Sequence, residues 1–139
     1  MYFKRQIENI KQINFPDDQF AVVSSGSLAV RGIREANDID IIVTPTLWKD
    51  LIKRYQVNIN ESGVETIALE NDIEILNPSQ SIFGNSKVIP LSEIIESADV
   101  FNGVKFINLD HLKAMKNELG REKDLRDIAL IENYQKNSI

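Results

Sequence analysis

The chain has 139 residues, 42% of them hydrophobic and 27% charged, with no cysteine and a formal net charge of -5. Such a composition at this length points to one compact domain that can bury roughly two-thirds of the surface its unfolded chain exposes. The missing cysteines exclude disulfides, zinc–thiolate sites and thiol nucleophiles, and the acidic balance argues against general nucleic-acid binding while leaving room for one basic phosphate pocket.

The opening MYFKRQIENIKQ has no long apolar stretch and no small-residue cleavage site, so no leader is expected. Phe3, Ile7 and Ile10 recur at helical spacing and predict an amphipathic helix over 2–13, broken by Phe15-Pro16-Asp17-Asp18. FAVVSS reads as a short strand running into a Ser/Gly turn, and SLAVRGI begins a short helix that Gly32 closes. DIDIIV is the next strand, after which Thr44 is an N-cap and Pro45 the first helical residue. Leu47, Leu51 and Tyr55 form the stripe of that helix, Ile52 widens it, and Trp48 is packing. VETIALE and NDIEIL are two strands joined by a polar turn at Glu70-Asn71, and Pro90-Leu91 leads into a helix to about Ala98. DVFNGVKFI reads as a hairpin on Asn102-Gly103, the pair a type I′ turn favours. Two helices finish the chain, over 109–119 and 121–134, with Gly120 between them.

That order predicts an α+β fold: a small mixed sheet at about 15–80, then a hairpin and C-terminal helices at about 90–136, all within one domain spanning 1–139. No run approaches 18 apolar residues, so no membrane span is expected and a cytoplasmic protein is the simplest expectation.

Two aspartates, Asp38 and Asp40, stand at the mouth of an apolar run. Alternation along a strand puts both on one face and Ile39 and Ile41 on the other, toward the core. Adjacent carboxylates repel, and a divalent cation between them relieves the repulsion; hard oxygen ligands suit Mg²⁺, which also binds substrate phosphates. NDIEIL offers a third acid: Glu74, enclosed by apolar neighbours as Asp40 is, with Asp72 in reserve. The Gly26-Ser27 turn fits the same chemistry, since glycine lets backbone approach a ligand, successive N–H groups cradle an anion, and the serine hydroxyl can reach a phosphate. On the bland reading, Asp-x-Asp is solvated surface or a cap, and a Gly-Ser pair alone signals nothing.

Taken together, VSSGSLAV, then NDIDII, then DIEIL resemble the nucleotidyltransferase fold of the DNA polymerase β superfamily. The closer likeness is to small bacterial members: minimal nucleotidyltransferases, AbiE-type toxins, and lincosamide or aminoglycoside nucleotidyltransferases. Arg34 stands four residues before Asp38, as an arginine does in those proteins, with Ala36 where they carry Ser or Thr. The tail AMKNELGREKDLRDIALI resembles the K…GRxKDhxDh ending of the same group. The resemblance implies a mixed α/β sheet, nucleotide phosphate at Gly26 and Ser27, and Mg²⁺ or Mn²⁺ on Asp38, Asp40 and Glu74, with Glu74 also placed as base. Lysines of the tail, Lys116 and Lys123, would point at the nucleotide. The reaction implied is transfer of a nucleoside monophosphate from an NTP to a hydroxyl on a small molecule, a protein or a tRNA. A partner protein is expected to complete so short a chain, which makes a toxin–antitoxin pair an option.

Asp124, Asp127, Ile131 and Tyr134 share one helix face, so Asp127 lies on a partly apolar stripe and needs a partner. Arg34 is the candidate, locking the helix to the sheet, while Glu122 and Asp124 serve the helix N-terminus. His111, the one histidine, is given no role. Two other functions compete with the enzyme: a nucleotide-binding or regulatory module without turnover, and a structural domain whose acids have no catalytic consequence.

Overall fold

Helix α1 (Tyr2–Ile13) buries Phe3, Ile7 and Ile10, as their spacing demands, in the computed structural model, which describes residues 2–137. The stripe packs on one face of a mixed sheet of β1 (Phe20–Val23), β2 (Ile39–Val43), β3 (Asn58–Ile59), β4 (Glu65–Ala68), β5 (Ile73–Leu76), β6 (Asp99–Phe101) and β7 (Val104–Phe106). Their spatial order is β3-β4-β5-β2-β1-β7-β6. β1 runs antiparallel to β2 and parallel to β7; β5 runs parallel to β2.

Both faces of the sheet are covered, which is why β1 is apolar at every position rather than alternating. On one face, α1 and α3 (Pro45–Leu51) pack Phe3, Ile7, Leu47, Trp48 and Leu51 against Val22, Ile39, Ile41 and Ile75. On the other, α2 (Ser25–Ala29), α4 (Ile82–Asn85), α5 (Leu91–Glu96), α6 (Leu109–Leu119) and α7 (Glu122–Asn137) pack Leu28, Phe83, Ile94, Leu112, Met115 and Ile131 against Ala21, Val23, Ile42 and Leu76. Among the described residues, no helix is long and apolar enough to cross a membrane.

Local chemistry sets the boundaries. Thr44 caps α3 by accepting the Leu47 N–H, with Pro45 in the first turn. Asn102 (φ 49°) and Gly103 (φ 83°) form the turn of the β6–β7 hairpin, and Gly120 (φ 64°) closes α6 in the left-handed conformation. Three features differ from expectation. α3 stops at Leu51, where an Arg54 N–H to Leu51 C=O bond tightens the last turn, so Ile52 and Tyr55 lie outside its stripe, 44% and 41% exposed. β3 and α4 are additional, with two and four residues, too short to show a period.

Gly84 in α4 has a packing reason to be glycine: a Cβ there would lie 2.4 Å from the Pro78 carbonyl oxygen and 2.6 Å from the Pro78 Cα. Both are backbone atoms, which yield less than a side chain. Gly84→Ala is expected to cost about 1–3 kcal/mol by overpacking and to lower the melting temperature by several degrees. An unchanged melting curve would mean that α4 moves off its neighbour without loss.

Candidate active site

The register of the two central strands decides which acids meet. β2 and β5 pair in parallel with Asp40 opposite Glu74, flanked by Ile39 opposite Ile73 and Ile41 opposite Ile75. The isoleucines are buried, so Asp40 and Glu74, both half-buried, share the opposite face. Asp38 precedes the strand and is exposed. Burial, then the Glu74 carboxylate, then that of Asp38 push the Asp40 carboxyl up to about 6, while Lys116 pulls it down. The three acids thus form one electrostatic group. Asp72 does not join it on strand alternation: it is an exposed turn residue with φ 62°, and β5 begins after it.

Asp38 and Asp40 open into a cleft of about 580 Å³ with two unlike walls. One carries Ser24, Ser25, Arg34, Lys116, Arg121 and Lys123, four of them cationic, with the exposed Glu35 beside Arg34; the other carries Asn60, Val64, Leu76, Gln80, Ile82 and Phe83, none of them charged. A larger depression of about 710 Å³, lined by Phe15, Leu47, Lys49 and Tyr55, lies beside the far end of β2, away from the acids.

Helix α7 fixes the cationic wall through buried carboxylates. Arg34 donates from Nε to Asp127 Oδ1 at 2.8 Å and from Nη2 to Oδ2 at 2.9 Å, a bidentate pair. Lys116, buried, sets its ammonium 2.9 Å from Asp127 and 3.6 Å from Asp124. Arg121 donates from Nε to Asp124 Oδ2 at 2.6 Å. Burial alone would raise the Asp127 carboxyl, but the hydrogen bonds from Arg34 and Lys116 outweigh it and hold it at about 2. Burial likewise opposes the lowering of Asp124, which its bonds to Arg121 win. Lys123 is exposed on the rim.

The glycine–serine turn is placed differently from expectation. Ser27 is fully buried and its hydroxyl donates to the Val22 carbonyl at 3.2 Å, so it does not reach the cleft. Gly26 is buried as well, because Val22 Cγ1 and Ile39 Cδ1 would stand 2.9 and 3.4 Å from any Cβ there; it is a packing glycine. The serines that face the cleft are Ser24 and Ser25, two positions earlier. Ser24 is strained at φ 59°, ψ -138°, a conformation L residues rarely adopt, and Ser25 Oγ accepts from Arg34 Nη2 at 2.9 Å. The end of the apolar run at Val23 was the available signal, since a turn must begin immediately after it. Arg121 was also missed as a cleft residue, although it is the arginine of the GRxKD stretch.

The residues fit a divalent cation in donor chemistry: the acids are hard oxygen donors, and the crowding that raises Asp40 is the repulsion such an ion removes. Among the described residues, no three His, Cys, Asp or Glu side chains already converge as a ligand set. His111 lies elsewhere, 3.7 Å from Glu93.

No family model and no curated protein matches the chain. Among solved structures, it is similar to a Thermotoga maritima protein described as a candidate nucleotidyltransferase, with a TM-score of 0.56 at 16% identity over 96% of this chain and 93% of that one. At that identity the likeness is one of fold.

Proposed function

We propose that this chain transfers a nucleoside monophosphate from an NTP to a hydroxyl acceptor and releases pyrophosphate. The observation that carries this reading is that Asp38 and Asp40 line a cleft whose one wall is cationic, with Glu74 paired to Asp40 in register on the neighbouring strand. Acids and cations segregated in this way suit a triphosphate, with its reacting phosphate at the acids and its leaving phosphates along the cations.

Asp38, Asp40 and Glu74 would hold Mg²⁺ or Mn²⁺, which when bound offsets the charge of the phosphate oxygens. Lys116, Arg121 and Lys123 bind the β and γ phosphates, and Ser25, oriented by Arg34, donates its hydroxyl to a phosphate oxygen. Glu74 takes the proton of the acceptor hydroxyl. The acceptor oxygen bonds to the α-phosphorus as the bond from that phosphorus to the β-phosphate oxygen breaks, and the pyrophosphate leaves with the electron pair. An AbiE-like toxin–antitoxin pairing would add a partner protein and change none of these roles.

Thermal melting with each of the four NTPs, with and without Mg²⁺ or Mn²⁺, tests the reading. Ligand at a hundredfold its dissociation constant adds about 2.7 kcal/mol, which moves the midpoint by several degrees. Ser25→Ala is expected to weaken the NTP-dependent shift about tenfold in ligand concentration, as for one charge-assisted hydrogen bond. Ser27→Ala should leave it unchanged, because that hydroxyl serves only Val22, whose carbonyl also accepts the Ile107 N–H. No shift with any NTP, or the reverse order of the two serines, would overturn the assignment.

A further inference from the structure

The uncharged wall of the cleft says what kind of molecule accepts the nucleotide. In-line displacement puts the attacking and leaving oxygens on opposite sides of the reacting phosphorus. With the leaving pyrophosphate held by Arg121, Lys116 and Lys123, the attacking hydroxyl arrives across the acids, from the wall of Asn60, Val64, Leu76, Gln80, Ile82 and Phe83. This step rests on the nucleotidyl-transfer reading.

Two amides on that wall have a fixed polarity. An Asn or Gln side chain ordinarily turns either its oxygen or its nitrogen to a ligand. Here the Asn60 Oδ1 accepts the backbone N–H groups of Ser62 and Val64 at 2.9 and 3.0 Å, and the Gln80 Oε1 accepts that of Glu65 at 2.7 Å. The oxygens are thereby committed. Asn60 Nδ2 and Gln80 Nε2 remain as donors with no partner among the described residues, on two residues that line the cleft. A wall with two amide donors, apolar side chains and no cation suits oxygen lone pairs on an uncharged molecule. It offers nothing to a phosphodiester backbone, whose affinity comes from cationic contacts.

We infer that the acceptor is a neutral, polyhydroxylated small molecule of the carbohydrate class, bound through Asn60 and Gln80. Its attacking hydroxyl loses its proton to Glu74 as its oxygen joins the α-phosphorus.

The test follows pyrophosphate release with Mg²⁺ and each NTP against three acceptor sets: neutral polyols (methyl glycosides and myo-inositol), cationic amino sugars, and an oligoribonucleotide with a free 3′-hydroxyl. Product is expected in the first set. Asn60→Asp and Gln80→Glu keep the oxygens that hold the backbone and replace only the donor nitrogens. Each is expected to raise the acceptor KM about tenfold, the worth of one hydrogen bond, leaving the NTP-dependent melting shift unchanged. Product only from the amino sugars or the oligoribonucleotide overturns the inference. So does loss of the NTP shift in either variant, which would put the nucleoside on this wall. If NTP and metal still raise the melting temperature but no polyol is modified, the acceptor class is wrong and the nucleotide site stands. If no NTP shifts wild type, the nucleotide reading fails and takes this inference with it.

Discussion

Asp127→Ala is expected to destabilise the protein by about 3–5 kcal/mol, the usual cost of breaking a buried ion pair by removing one partner. Asp127 is 6% exposed and is the common anchor of two cations, at 2.8 Å from Arg34 and 2.9 Å from Lys116. Without it, Lys116 keeps only the longer contact to Asp124, at 3.6 Å, and Arg34 loses both arms of its fork. At this chain length the loss corresponds to a fall in melting temperature of about 10 °C or more. Asp127→Asn should fall in the same direction, since it retains the shape but leaves the buried Lys116 and the half-buried Arg34 facing one neutral amide.

The pH dependence separates this account from simple cavity formation. Asp127 titrates at about 2 in the folded chain, below its ordinary range. Its contribution is therefore fully present above pH about 4, the unfolded value, and is lost as pH falls through about 2. The gap in melting temperature between wild type and Asp127→Ala should narrow between those values, by up to about 2.5 kcal/mol in stability, and stay constant above them. A constant gap down to pH 2 would mean that the side chain acts by packing alone. The network also reaches the cleft, because Arg34 holds Ser25 and Lys116 faces Asp40.

How much of this arrangement the sequence disclosed depends on the range of the interaction. The acids were legible because alternation is local: Ile39, Asp40 and Ile41 can be sorted onto two faces from three letters, and the same holds for Ile73, Glu74 and Ile75. Only the pairing of β2 with β5 then had to be supplied, and the parallel register supplies it with Asp40 on Glu74. The Arg34–Asp127 pair, 93 residues apart, was reachable because a carboxylate on a partly apolar helix face needs a cation. Lys116 was read only as a ligand of nucleotide; its burial between Asp124 and Asp127 depends on how α6 packs on α7, which no local spacing encodes. Ser24 and Ser25 were passed over for Gly26-Ser27 for a different reason. Gly-Ser looks like a flexible turn, yet Gly26 is small because Val22 and Ile39 fill the space its side chain would take, and that crowding is visible only when β1 and β2 lie side by side.

Asp40→Asn is expected to do two opposite things, and their combination is diagnostic. In metal-free protein the wild-type carboxyl is raised to about 6 by burial and by Glu74 and Asp38. A folded-state pKa above the unfolded one gives stability that is complete below pH about 4 and is lost as pH rises through about 6. The neutral asparagine does not incur that loss. The variant should therefore melt several degrees above wild type at pH 7.5 and show no advantage at pH 4, the two-unit shift bounding the gain at about 3 kcal/mol. Adding Mg²⁺ or Mn²⁺ reverses the ranking. Ion binding requires the ionised carboxylate, so the metal-dependent rise of wild type should grow as pH increases through about 6. Asp40→Asn, and more severely Asp38→Ala/Asp40→Ala, should show no such rise and should lose about 10³-fold or more in turnover, as when a group acting in the transition state is removed. An Asp40 variant that was less stable without metal and still active would instead make the pair a structural element. Carboxylates that weaken the fold at neutral pH in the absence of metal have their justification in what they bind, and the asparagine variant measures both sides of that exchange in one set of melting curves.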